Sequence, residues 1–82
     1  MAILSTEKSI LVFIGSRVRS TTEIVDHVSE GKSGRVSGIK LAIDRLYRQG
    51  WLDKDDNTSP HTFTIHEDFA SVPFEKLETS ND

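Results

Sequence analysis

The stretch from Val36 to Leu52 constrains this chain more than any other. Val36, Ile39, Ile43 and Leu46 recur at steps of three, four and three, with Ala42 and Tyr47 beside them. That is the period of one apolar stripe on a helix. Arg48-Gln49-Gly50 follows, a positive last turn and then the residue best suited to a left-handed cap. Trp51-Leu52-Asp53-Lys54 then reads as a strand, and His61-Thr62-Phe63-Thr64-Ile65-His66 alternates, with Phe63 and Ile65 on one face and threonines on the other. Asp55 to Pro60 between them is rich in turn formers, so the two strands are expected to form a hairpin. A long helix delivering the chain into a hairpin must bury its stripe against something upstream.

Two shorter helices are expected there. Ser5 suits a helix cap with Glu7 in the first turn, and Ile10, Leu11, Phe13 and Ile14 give an apolar stripe that Gly15-Ser16 ends. Arg17-Val18-Arg19 suits a minimal strand or extended linker. Ser20-Thr21-Thr22-Glu23 has the spacing of a capping box, and Ile24, Val25 and Val28 supply the buried side of the second helix. Gly31 and Gly34 break it. Phe13, Ile24, Val28, Ile39, Ile43, Leu46, Leu52, Phe63 and Ile65 are expected to share one core.

The chain has 82 residues, enough for one domain, and no cysteine to staple it. The longest apolar run, Ile10 to Ile14, is far too short for a membrane span, and Met1 to Lys8 lacks the pattern of a signal peptide. No membrane association and a cytoplasmic location are therefore expected. The net charge of −3 argues against nucleic acid, but its distribution does not. Between Arg17 and Arg48 seven basic residues face four acidic ones, whereas from Asp53 onward eight acidic residues face only Lys54 and Lys76. Such asymmetry suggests one face for an anion and a tail that avoids it.

In Thr22-Glu-Ile24 and in Ile39-Lys-Leu-Ala-Ile43-Asp-Arg-Leu46-Tyr-Arg-Gln-Gly50-Trp-Leu52, the chain resembles winged helix-turn-helix regulators of the MarR and PadR kind. In those families the recognition helix ends in a leucine, three residues, a glycine and two apolar residues, matched here by Leu46, Gly50, Trp51 and Leu52. The resemblance covers roughly residues 5 to 66 and rests on a packing pattern many winged helices share. It implies an α+β fold of three helices plus a C-terminal hairpin wing over residues 1–68, followed by an acidic tail, 69–82, partly docked or disordered. It also implies double-stranded DNA as partner and a role in transcription regulation.

A helix fits the major groove and presents its amino-terminal half to base edges. Within the expected helix 34–49 that half offers Arg35, Ser37 and Lys40 for base reading. Arg17, Arg19, Lys32, Arg45 and Arg48 are expected to hold phosphates, which fix register without reading sequence. On the wing, Asp55 and Asp56 would repel phosphate, leaving Lys54, Asn57 and Thr58 as the wing contacts. One small domain reads few bases, which favours a homodimer through helix 1 or the Phe69 to Leu77 segment. The alternative is a winged-helix protein-interaction module whose acidic wing and C-terminal part meet a basic partner.

Other signals point away from chemistry. Gly31-Lys32-Ser33 imitates the end of a phosphate-binding loop, but Asp26 stands where that loop needs glycine. His61 and His66 lie an odd number apart on one strand, so they face opposite sides and cannot share a metal. Asn57-Thr58-Ser59 matches a glycosylation acceptor, which is irrelevant without secretion. No serine has a nucleophile-elbow setting. No catalytic residue, metal or cofactor is expected, and the chain reads as a non-enzyme.

Overall fold

The computed structural model describes residues 3–57 and 59–80. In chain order the elements are β1 (Ile3–Leu4), α1 (Ser5–Ile14), β2 (Arg19–Ser20), α2 (Thr21–Ser29), α3 (Val36–Arg48), β3 (Leu52–Asp55), β4 (Thr62–Ile65) and β5 (Thr79–Ser80). Short 3-10 turns precede α3 at Ser33–Arg35 and follow β4 at Glu67–Phe69 and Phe74–Lys76. The fold is α+β, with three α-helices and a three-stranded antiparallel sheet ordered β2-β4-β3. A separate two-stranded parallel pair joins β1 to β5.

Local chemistry explains most boundaries. α2 begins at the expected capping box: Ser20 Oγ accepts the Glu23 N–H at 3.1 Å, and a Glu23 carboxylate oxygen accepts the Ser20 N–H, also at 3.1 Å. α1 starts differently from expectation. Leu4, not Ser5, occupies the cap position, and the Glu7 carboxylate accepts the Leu4 N–H at 3.3 Å. Glu7 answers the N–H of the cap residue itself, while Leu4 has no side-chain oxygen to accept an N–H of the first turn. α3 ends on Gly50 at φ +86°; Trp51 N–H donates to Leu46 O and Gly50 N–H to Tyr47 O. That paired return closes the last turn and requires the left-handed conformation glycine adopts without strain.

The three helices pack on one another, and the sheet closes the core against α1 and α3. Ile10, Leu11, Ile14, Ile24, Ile39, Leu46 and Leu52 are almost wholly buried, joined by Val28, Ala42, Ile43 and Phe63. Each of these side chains larger than alanine contributes roughly 1.5–3 kcal/mol on leaving water. Two expected core members sit at its margin. Phe13 is half-buried at the seam between α1 and α2, stacked on His27 with ring centroids 4.0 Å apart, and Ile65 packs against the core from outside. Two further members come from the chain's extremes: Ile3 and Phe74 are both buried in the same cluster. The segment after 68 is therefore docked through Phe74, with Phe69, Val72 and Leu77 packed against the core and Trp51 stacked on Phe69 at 4.5 Å. Thr79–Ser80, within the expected acidic tail, pairs with Ile3–Leu4 because the docking of Phe74 and Leu77 on the core brings it alongside β1. Asn81 and Asp82 lie outside the described residues.

Candidate nucleic-acid interface

The buried stripe of α3 fixes where its remaining side chains go. With Ile39, Ala42, Ile43 and Leu46 turned inward, the 100° step per residue sends Ser37, Leu41, Asp44 and Arg48 outward. Lys40 falls on the flank facing α2 and the hairpin, and Arg45 falls on the opposite flank. Arg35 stands at the cap position of α3, in the 3-10 turn that leads into it. The three residues expected to read bases, Arg35, Ser37 and Lys40, are thus gathered and exposed at the amino-terminal end of α3.

The expected phosphate contacts do not form one set. Arg17 and Lys32 are exposed and, like Arg35 and Lys40, make no ion pair among the described residues. The other three arginines are occupied. Arg19 is paired with Glu23 at 3.4 Å, its guanidinium carbon lies 4.3 Å from the Phe13 ring centre, and its Nε is buried without a hydrogen-bond partner. Arg45 is drawn to Glu7 of α1 at 3.4 Å, off the exposed face of α3. Arg48 holds Asp44 one turn back at 2.8 Å while remaining largely exposed.

The hairpin turns its charges by register. β3 and β4 pair Leu52 with Ile65, Asp53 with Thr64, Lys54 with Phe63 and Asp55 with Thr62. Leu52, Lys54 and Phe63 share the inner face, so Asp53 and Asp55 lie with the threonines on the outer one. Lys54 reaches inward: its Nζ lies 4.7 Å from the Tyr47 ring centre and 3.5 Å from an Asp56 carboxylate oxygen. Asp55 accepts the Asn57 N–H at 2.9 Å, which organises the turn, and Thr58 lies outside the described residues. Of the three expected wing contacts, Lys54 is therefore held against α3 and Asn57 remains exposed.

Sequence reasoning missed the consequence of this packing. Between α3 and the hairpin lies a cleft of about 300 Å³ whose lining includes Lys40, Asp44, Tyr47, Lys54, His61 and Thr21. A second groove of about 500 Å³ runs between α2 and α3 and reaches Val25, Asp26, Ser33 and the same Lys40. Thr21 and Lys40 stand on both rims, and Lys40 is the charged one of the two. The signal available in the sequence was the inward register of Lys54, which follows from that of Leu52 two residues before.

Among the described residues no group of three or more His, Asp or Glu side chains is placed to hold a metal, and no helix is long and apolar enough to cross a membrane. No family model, curated protein or solved structure matches this chain.

Proposed function

We propose that this chain is a winged helix-turn-helix domain that binds double-stranded DNA and acts as a small transcriptional regulator. Its element order supports the winged-helix reading: α1, the short strand β2, α2, α3, then the β3–β4 hairpin, with β4 between β2 and β3. α3 is the reading element and the hairpin is the wing. The observation that carries the functional reading is the amino-terminal end of α3, where Arg35, Ser37 and Lys40 stand exposed and neither cation is engaged in an ion pair. An arginine so placed suits bidentate recognition of guanine, worth about 1–3 kcal/mol of discrimination against a wrong base. Arg17 and Lys32 are the free cations that serve as phosphate contacts.

The experiment is a fluorescence-anisotropy titration of genomic and random duplexes at fixed salt. Binding with preference for particular fragments supports this reading, and no binding of any duplex at low salt removes it. A second reading is favoured by one observation: the outer sheet face carries two carboxylate residues, Asp53 and Asp55, in register with Thr64 and Thr62. A winged helix using that face would take a basic protein partner, and charge-reversal of Asp53 and Asp55 would abolish capture while leaving duplex affinity intact.

A further inference from the structure

We propose that the cleft between α3 and the β3–β4 hairpin is a phosphate site gated by the protonation of His61, so that the chain holds a duplex backbone more tightly as pH falls. The occupant rests on the DNA-binding reading; the site itself rests on the geometry of the cleft.

His61 is fixed where it can act. Its carbonyl accepts both the N–H of Thr21 at 3.0 Å and the Thr21 hydroxyl at 3.2 Å, which ties the start of β4 to the start of α2. Its Nε2 lies 3.7 Å from Asp56 Oδ1, and Lys54 Nζ lies 3.5 Å from that same oxygen. One carboxylate oxygen thus stands between two nitrogens. The other groups on the cleft are Lys40, Asp44 and Tyr47 from α3. Asp44 is already answered by Arg48 at 2.8 Å.

The charge balance follows. With a neutral imidazole, Asp56 offsets Lys54, and among the described residues Lys40 is the only uncompensated cation lining the cleft. When His61 takes a proton, the imidazolium answers Asp56 and Lys54 joins Lys40 in facing the cleft. Two cations flanking an open pocket suit one phosphate group, whether that group belongs to a duplex backbone or to a small phosphate. Histidine is the side chain whose ordinary charge change falls between about pH 5 and pH 8. The remaining histidines are engaged elsewhere: His27 stacks on Phe13, and His66 Nδ1 accepts the Asp68 N–H at 3.1 Å.

The test follows the whole chain at about pH 5.5 and about pH 7.5, at constant salt, with two probes: a duplex followed by anisotropy and inorganic pyrophosphate followed by NMR. Wild type should bind duplex at least about threefold tighter at the lower pH. His61→Gln should lose that gain, and His61→Arg should show the tighter binding at both values. Pyrophosphate should move the Lys40, Lys54 and His61 resonances more at the lower pH. A pH gain retained in His61→Gln, equal duplex affinity at both pH values in wild type, or pyrophosphate leaving those resonances still would each overturn the gate. If pyrophosphate titrates the site as expected and no duplex binds, the phosphate site stands and the DNA-binding reading falls.

Discussion

Glu7 of α1 and Arg45 of α3 meet across the helix seam, carboxylate oxygen to guanidinium Nε, at 3.4 Å. Glu7 is only 7% exposed, and its carboxylate also accepts the Leu4 N–H. A buried carboxylate is tolerable when its lone pairs are answered, and here both the start of α1 and the far flank of α3 answer it.

Arg45→Ala should therefore act on stability before it acts on DNA. Because Arg45 is half-exposed, the expected loss is about 1 kcal/mol, read as a lower urea midpoint. Duplex affinity of the folded variant should change less than in Arg35→Ala. The opposite ranking would return Arg45 to the DNA-contacting set.

Leu46→Ala removes a side chain that is 1% exposed at the centre of the α3 stripe. The expected cost is about 2–5 kcal/mol, a large part of what so small a domain has. A thermal melt matching wild type would contradict the core packing described above.

The α2 capping box should leave a pH signature. The Ser20 backbone N–H, helped by the Arg19 guanidinium and the Ser20 hydroxyl, holds the Glu23 carboxyl below its usual value of about 4.3 despite some opposing desolvation. The folded state thus binds the proton less readily than the unfolded chain. The contribution is present above the unfolded value and is lost as pH falls through the folded one. Urea midpoints of wild type should drop across that acidic window more steeply than those of Glu23→Gln.

Division of labour on the proposed DNA face is separable by salt. Arg35→Ala should lower affinity for the best site much more than for random duplex. Arg17→Ala and Lys32→Ala should weaken both alike and make the slope of log affinity against log salt shallower by about 0.9 for each lost phosphate contact. A uniform loss in Arg35→Ala would make it another phosphate contact.

What was legible in the sequence is what neighbouring residues decide. The α3 stripe, the Ser20–Glu23 box and the Gly50 cap each depend on partners within one helical turn or two, and each lies where its spacing placed it. The expected helix 34–49 differs at its ends: its first turn is 3-10, its regular part begins at Val36, and it stops at Arg48 with Gln49 as the cap. Contacts between distant segments were not legible. Glu7 gives no hint in its own neighbourhood that Arg45 will neutralise it, and nothing around Phe74 says that it joins Ile10 and Leu46 in one core. The same applies to the interface. Composition identified the basic stretch, but only the packed helices sort its cations into Arg17, Lys32, Arg35 and Lys40, which make no ion pair among the described residues, and Arg19, Arg45 and Arg48, which do. Removing the chain beyond Glu67 would therefore withdraw Phe74 from the core, so it is a test of folding and not of the acidic surface.

The pairing of Ile3–Leu4 with Thr79–Ser80 is parallel, with Ile3 opposite Thr79 and Leu4 opposite Ser80. In a parallel pair, tension applied backward from the first strand and forward from the last runs along the strands in opposite senses. Its hydrogen bonds are then loaded in shear together, not peeled one after another. If a host protein or a neighbouring domain were attached at the two sides, this ribbon would be the first element to bear the pull. It would act as a clasp: while it holds, Ile3 and Phe74 stay seated in the core, and once it slips both are released.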